Sequence, residues 1–458
     1  MRTLKALLST VTVATALLSG TAPADAATAT ITVAFGTTVR TVPPETFGID
    51  ISGYGYGNYI TNDAAQRAML GGGRYGLARM QLVYSVPGDT TSKIVAGGDG
   101  ADRGPTGDEW VSSIKNLGAA PVVIAPLDAV DAAGLVRHFN TGTAPNTVTR
   151  WILGNEPDGA KMEAADYSAK FNAVYDAMKA VDPTIKIGGP ATAYPNWDFL
   201  QTFLTGSGSR ADFVDFHKYG MGGDTFLCDD QLLANTVGWE NDITRLRGMI
   251  QTTVPSRASS IGIEVGEMNS DWSVHTAPSS CGNTGTEPLQ YRNAAVWWAA
   301  SAFGHVVNAG GTGMAYADKN GALGLLYDQV NADRPSYAQN GAGLDERMPI
   351  YSGLGFFTGQ QGTSLRHFGT SLVSSSTTLP DVEAYASANP KVIVIVNKGT
   401  TNRQAVIGVD SGTTATAFQK DGNTVSYATP TSLGSLPVQS GQISVTLPGP
   451  SVTQLAIG

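Results

Sequence analysis

Two glutamates stand out by what surrounds them. The stretch Trp151-Ile152-Leu153-Gly154-Asn155-Glu156-Pro157-Asp158 runs an apolar segment into an amide, a carboxylate and a proline. The stretch Ile261-Gly262-Ile263-Glu264-Val265-Gly266-Glu267 runs a second apolar segment into another carboxylate. Two carboxyl groups facing each other across a cleft are what hydrolysis of a glycosidic bond needs. One must be protonated to donate to the leaving oxygen, and the other ionised to attack the anomeric carbon. Repulsion between them helps raise the pKa of the acid. On this reading Glu156 is the general acid/base and Glu267 the nucleophile. Either glutamate alone would suit an ordinary surface loop, so the argument depends on the pair. Glu264 is a rival nucleophile, but it lies three residues before Glu267, an odd spacing in a strand, and the two are expected on opposite faces.

The elements that would position such a pair can be followed along the chain. From about Phe47 to Asp318, short apolar runs alternate with helical segments, the pattern of successive βα units. Eight strands are expected: Phe47 to Ser52, Leu77 to Val83, Pro121 to Pro126, Arg150 to Glu156, Lys186 to Ala191, Phe213 to Tyr219, Ile261 to Glu267, and Gly313 to Asp318. Tyr167, Phe171, Val174, Tyr175, Met178 and Val181 recur at helical spacing after the fourth strand, and Asp182-Pro183 stops that helix. A second helix is expected from about Gln290 to Val307, with Trp297 and Trp298 as core residues. Eight parallel units over this length make an α/β fold, a (β/α)8 TIM barrel, whose catalytic groups sit at the C-terminal ends of the strands. Glu156 and Glu267 then close strands four and seven.

From about Pro349 the texture changes to short strand candidates separated by Thr, Ser, Gly and Pro. These are Leu372 to Ser376, Val382 to Ser387, Lys391 to Val396, Gln404 to Val409, Thr414 to Gln419, Gln442 to Leu447 and Val452 to Ile457. They predict a C-terminal antiparallel β-sandwich domain over 349–458 beside a barrel over 46–348. The alternating segment within 27–45 is expected to add a strand to the sandwich.

Residues 1–26 have the make-up of a secretory leader. Arg2 and Lys5 precede the apolar run Leu7 to Leu18, and Ala24-Asp25-Ala26 is a small-residue cleavage pattern. The expectation is a secreted, extracellular protein. The formal charge of the chain is −9, and loss of Arg2, Lys5 and Asp25 would take it to about −10. An acidic surface repels phosphate backbones and anionic lipids, so nucleic acid and membrane are excluded as partners. The expected partner is a carbohydrate substrate bound by a monomer. The chain has two cysteines, Cys228 and Cys281. In an oxidising compartment they are expected to pair rather than remain two buried thiols, and without clustered histidines they make a poor zinc site. Both fall in rim segments, after strands six and seven. No metal or cofactor is implied. The run Gly53-Tyr54-Gly55-Tyr56-Gly57 has Asn58 where a dinucleotide fingerprint needs glycine, and is expected to be a rim loop with two aromatics for stacking on sugars.

Several of these segments resemble a known group. Gly154-Asn155-Glu156-Pro157 resembles the strand-four signature of glycoside hydrolase clan A, in which asparagine precedes the acid/base glutamate. Glu267-Met268-Asn269-Ser270 is similar to the strand-seven nucleophile segment of family 39, and Asn269 there favours Glu267 over Glu264. Families 79, 51 and 30 share the plan, including a β-sandwich attached to the barrel. The resemblance implies further roles. In Asp215-Phe216-His217-Lys218-Tyr219, the Tyr219 hydroxyl would contact the nucleophile and His217 would line the sugar pocket. In Leu77-Ala78-Arg79-Met80-Gln81, Arg79 would lie beneath the nucleophile with a carboxylate partner such as Glu267. Asn155 would bind the sugar 2-hydroxyl, and Asp50, on the first strand, is placed with the substrate-binding residues. Two departures leave alternatives open. Strand eight ends Met314-Ala315-Tyr316-Ala317-Asp318 without the clan's tryptophan, so either Tyr316 substitutes or the site differs. Asp158 either binds a substrate hydroxyl or caps the next helix.

Within that clan, β-xylosidase, arabinosidase or arabinobiosidase, β-glucuronidase and galactosidase activities are all compatible with the sequence. The alternative class is a secreted carbohydrate-binding protein on a catalytically inactive barrel. Retention of both glutamates argues against it, because binding needs neither.

Overall fold

The apolar runs fold as their neighbours dictate: those flanked by helical segments become parallel strands, and those flanked by turns become antiparallel ones. The computed structural model describes residues 27–458 except 52–58, 63, 98–104, 142–145, 274, 276–280, 282–288, 318–322, 328–345 and 424–428. The expected leader, the rim loop Gly53–Gly57 and the outer ends of strands one and eight, Ser52 and Asp318, lie outside the described residues.

The barrel strands are Phe47–Asp50, Leu77–Tyr84, Ala120–Ala125, Arg150–Leu153, Lys186–Thr192, Phe213–Met221, Gly262–Asp271 and Thr312–Tyr316. Each pairs in parallel with the next, and strand one pairs with both strand two and strand eight, so the sheet closes. A ninth short strand, Ile94–Ala96, runs antiparallel along strand two. Leu77, Val122, Ile124, Ile152, Ala191, Phe213 and Met314 form a small apolar cluster of their own, separate from the large one that takes in Ala78, Val123, Trp151, Val214 and Ala315. That split follows strand alternation: one parity fills the barrel and the other meets the surrounding helices. Helix Ala164–Val181 buries Tyr167, Phe171, Val174 and Met178. Helix Asn293–Ala309 buries both Trp297 and Trp298.

The second sheet has nine strands and is antiparallel except where Ala29–Thr41 runs parallel to Arg403–Val409. Ala29, Ile31 and Val33 on that N-terminal strand face the same core as Ile393, Ile395, Ile407 and Ile443. Ala415 and Ile443, on strands near opposite ends of the sheet order, meet in this one cluster, so the sheet folds over itself as a sandwich. Strand Val392–Asn397 is buried along its whole length. Ile393 and Ile395 fill the sandwich, while Val392, Val394 and Val396 join the barrel's outer core. Two differences from the sequence expectation are structural. The segment from Pro349 begins with a buried helix, Pro349–Thr358, packed beside the barrel, before any strand appears. An edge strand, Thr431–Pro437, was not foreseen, because its side chains are almost all exposed and show no apolar alternation.

Candidate active site

Strand six sets the geometry. Phe213, Asp215, His217 and Tyr219 occupy alternate positions and share the inward face, stacked from the barrel's apolar centre to its C-terminal mouth. Strand seven lies beside it, with Phe216 opposite Val265 but His217 opposite Glu267. Gly266 is therefore an extra residue, a β-bulge. It is held by its N–H, which donates to Asp215 Oδ1 at 2.8 Å.

The bulge corrects one expectation. Glu264 and Glu267 were expected on opposite faces, but the inserted residue changes the phase and both point into the barrel. They are separated by height instead: Glu264 pairs with Arg150 at the start of strand four, and Arg150 lies over the Phe213 ring. Glu264 is thus part of a buried ion pair deep in the barrel, while Glu267 stands at the mouth.

Strand four ends at Leu153, earlier than its apolar run suggested. Gly154 and Glu156 both adopt positive φ, 74° and 46°. For glutamate that conformation is uncommon and costs about 1 kcal/mol or more. It is held by the Glu156 N–H, which donates to Ala191 O at 2.9 Å. This turn lifts Asn155 and Glu156 onto the rim.

Arg79, fully buried on strand two, joins these elements. One of its terminal nitrogens, Nη1, donates to Asp50 and, at 2.7 Å, to Glu267 Oε1. The other, Nη2, donates to Asn155 Oδ1 and lies 3.0 Å from His217 Nε2. Burial opposes the charge on Arg79, but Asp50, Glu267 and Asp215 outweigh it and hold the guanidinium firmly protonated. His217 Nδ1 is 2.9 Å from Glu156 Oε1 and 3.5 Å from Glu267 Oε2. In the neutral ring Nδ1–H donates to Glu156 and Nε2 accepts from Arg79, and protonation adds a positive charge beside Glu267. Burial lowers the proton affinity of His217, but the Glu267 charge and the bond to Glu156 more than reverse this and raise its pKa. Tyr219 completes the set by donating its hydroxyl to Glu267 Oε2 at 2.9 Å.

Glu267 is only 7% exposed. Burial acts to raise its pKa, yet His217, Arg79 and the two hydrogen bonds from Arg79 and Tyr219 overcome that and hold it below the usual carboxylate value. Glu156, by contrast, is half open to the cleft. One donor atom from each of Glu156, His217 and Glu267 lies within 4.8 Å of the others. Such a trio has donor atoms suited to a metal ion, but Arg79 already neutralises Glu267, and His217 is spent on Glu156 and Arg79.

The structure brings Arg79, Asn155, Glu156, His217, Tyr219 and Glu267 together. Arg79 and Asp50, placed by sequence with the substrate-binding residues, have no exposed surface; they brace Glu267 from below. His217 is equally buried and bridges the two glutamates. Tyr316 packs its ring edge-on to Tyr219, with centroids 6.4 Å apart. Asp158 is occupied elsewhere: its oxygens accept from Ala193 N–H at 2.9 Å and Asn196 Nδ2 at 3.1 Å, tying the strand-four loop to the strand-five loop. The helix cap is Glu163, not Asp158. Asn269 donates to the carbonyls of Tyr316 and Leu323. Cys228 and Cys281 form a disulfide joining the segments after strands six and seven, with Cα atoms 5.4 Å apart. Asp215 was missed by sequence reasoning, although its parity with His217 and Tyr219 was visible.

A closed (β/α)8 barrel with a sandwich beside it and two glutamates at the ends of strands four and seven is the plan of the clan A glycoside hydrolases, which this chain resembles. Within that clan the resemblance is to family 39: the model for glycosyl hydrolases family 39 matches residues 130–280. A β-xylosidase from Caldicellulosiruptor saccharolyticus is 33% identical over 92 residues, 19% of this chain and 19% of that protein, so the match spans about a fifth of its length. Among solved structures, the α-L-arabinofuranosidase of Thermotoga maritima is 15% identical with a TM-score of 0.69, covering 94% of this chain and 99% of that one. The GH51 arabinofuranosidase of Xanthomonas axonopodis pv. citri is 14% identical with a TM-score of 0.70, covering 94% and 100%. At such identities these two likenesses establish the fold.

Proposed function

We propose that this protein is a secreted, monomeric retaining glycoside hydrolase of the xylosidase or arabinofuranosidase type, acting on plant or microbial polysaccharides or oligosaccharides by double displacement. The observation that carries the reading is the short separation of the two carboxyl groups, with oxygens of Glu156 and Glu267 within 4.8 Å of each other. Retaining enzymes hold their carboxyls at about 5–5.5 Å, whereas inverting ones leave roughly 6.5–9.5 Å for a water. The names of the family 39, β-xylosidase and arabinofuranosidase relatives support the sugar class.

In the first step, Glu267, kept ionised by Arg79, His217 and Tyr219, attacks the anomeric carbon while Glu156 gives its proton to the leaving oxygen. The bond to the leaving group breaks and an ester between sugar and Glu267 forms. In the second step Glu156, now ionised, takes a proton from water, whose oxygen attacks the same carbon and releases Glu267. Asn155, whose Oδ1 accepts from Arg79, would bind the sugar 2-hydroxyl.

The test is turnover of aryl β-xyloside, α-arabinofuranoside, β-glucuronide and galactosides, with product configuration read by NMR. Turnover of a pentoside with retention is expected. Turnover with inversion would overturn the mechanism, and binding of glycans with no turnover would mark a carbohydrate-binding protein on an inactive barrel.

A further inference from the structure

Strand six is regular, and each of its neighbours carries one extra residue against it. On strand seven that residue is Gly266. On strand five it is Ala191, which falls between Pro190 opposite Asp215 and Thr192 opposite Phe216. A bulge bends its strand and re-aims the groups beside it. Ala191 is fully buried and sits at φ 54°, in the left-handed region that glycine favours. Its carbonyl accepts the N–H of Glu156 at 2.9 Å, and Glu156 itself sits at φ 46°. Such conformations persist in residues with side chains only where the surroundings hold them.

The holding group is Asp158. It stands two residues past Glu156, and its Oδ1 accepts at 2.9 Å from the N–H of Ala193, two residues past Ala191. The two unusual backbones are therefore bonded once directly and once through a carboxylate. The other oxygen of Asp158 accepts from Asn196 Nδ2 at 3.1 Å. Asn196 caps the helix Trp197–Ser207, with its Oδ1 accepting from Phe199 N–H at 3.3 Å. The strand-four loop is thus anchored to the start of a packed helix. The Glu156 carboxyl reaches into the cleft with Oε1 bonded to His217. Where its second oxygen points is set by the backbone that carries it, and a general acid must lie within hydrogen-bond reach of the oxygen it protonates.

We propose that Asp158 is the positioning residue of the general acid: it clamps the strand-four loop to the strand-five bulge so that Glu156 stays aligned on the leaving oxygen. This rests on the proposed activity, and the experiment separates the two. Wild type, Asp158→Ala, Asp158→Asn and Asn196→Ser are compared on the glycoside that wild type turns over, carried on a series of phenols from dinitrophenol to unsubstituted phenol. Asp158→Ala is expected to lower kcat/KM by about 30- to 100-fold on the phenyl glycoside, the scale of a misaligned acid. The dinitrophenyl glycoside, whose leaving group needs no proton, should lose less than about threefold. Asp158→Asn, which keeps an acceptor for Ala193, should restore part of the loss. Asn196→Ser, which keeps a helix cap but cuts the bond to Asp158, should show the same pattern more weakly. A loss equal across all leaving groups would mark a merely structural role and overturn the inference, as would no loss. Should Asp158→Ala fail to fold, Asn196→Ser decides by the same criterion. Should wild type turn over nothing, the activity reading fails, and a crystal structure of Asp158→Ala decides this one. The Glu156 N–H is expected to have left Ala191 O, with the carboxyl displaced by about 1 Å. Both bonds of Glu156, to Ala191 and His217, standing unchanged would overturn it.

Discussion

Gly266 donates its N–H to Asp215, and that bond holds the bulge that turns Glu267 into the cleft. Asp215 is fully buried, and burial raises its pKa against the pull of Arg79 and His217. A Cβ on Gly266 would lie 2.5 Å from both Asp215 oxygens. Gly266→Ala is therefore expected to destabilise the fold by about 1–3 kcal/mol through overpacking and to lower kcat more than this loss of folded protein explains. Asp215→Asn, which keeps an acceptor for Gly266, should be milder than Asp215→Ala. Thermal unfolding and kcat on one substrate check both; equal effects of the two Asp215 variants would contradict a hydrogen-bonding role.

The hydroxyl of Tyr219 is one of the groups holding Glu267 below its ordinary pKa. Tyr219→Phe removes a donor to a buried charge, so kcat should fall by about 10- to 100-fold. On the proposed mechanism Glu267 attacks in its ionised form, so loss of the donor lets its pKa rise and moves the acidic limb of the pH–rate profile to higher pH. A profile that kept its acidic limb while losing amplitude would show that Tyr219 acts on the sugar instead.

A second buried charge cluster joins barrel to sandwich. His305 bonds Glu240 at 2.8 Å and Glu383 at 3.0 Å, and Glu383 also accepts from Lys398, Ser301 and Tyr385. Burial acts to raise the pKa of Glu383, but His305 and Lys398 overcome it and bring it down to about 2. Burial likewise lowers His305, and the two glutamates more than reverse it. The Glu383 contribution to stability is present above the ordinary carboxylate value and is lost as pH falls toward 2. The His305 contribution is present below its ordinary value of 6.5 and is lost as pH rises through the elevated one. Glu383→Gln should therefore lower Tm most between roughly pH 5 and 6.5, where both contributions hold. A pH-independent Tm difference would refute the linkage.

What could be read from the sequence follows from local periodicity. Strand six was legible because Phe213, Asp215, His217 and Tyr219 alternate with Val214 and Phe216, which pack outward. The disulfide was legible because two cysteines, read as belonging to an exported chain, have one way to pair. The facing of Glu264 was not legible: a bulge adds one residue without changing composition, and glycine at position 266 marked it only once Asp215 was known to face it. The sequence also hid the helix Pro349–Thr358, since a helix buried on all sides has no amphipathic stripe. At the edge strand Thr431–Pro437 there was no apolar face to betray it.

The Cys228–Cys281 bond closes a separation of 53 residues. In the chain-entropy model it stabilises by about 4 kcal/mol. Cys228→Ser with Cys281→Ser should lower Tm accordingly. It should also raise KM, since it frees the rim segments after strands six and seven. Unchanged Tm in reductant would contradict this.

The decisive test of roles uses azide, a small anion that needs no general base. On the proposed roles Glu267→Ala removes the nucleophile, and activity should be lost. Azide filling that space attacks the anomeric carbon from the side where the carboxylate stood, with Glu156 still able to protonate the leaving oxygen, so the glycosyl azide has inverted configuration. In Glu156→Ala the nucleophile remains. A substrate with a good leaving group still forms the ester on Glu267, and azide then attacks from the opposite face, so two inversions give a retained product. The loss for Glu156→Ala should be greatest for poor leaving groups, which need the proton most. NMR of the azide products distinguishes the two roles independently of rate. If Glu267→Ala gave retained azide and Glu156→Ala inverted azide, the two assignments would have to be exchanged. Absence of rescue in both, together with activity close to wild type, would remove both glutamates from the reaction.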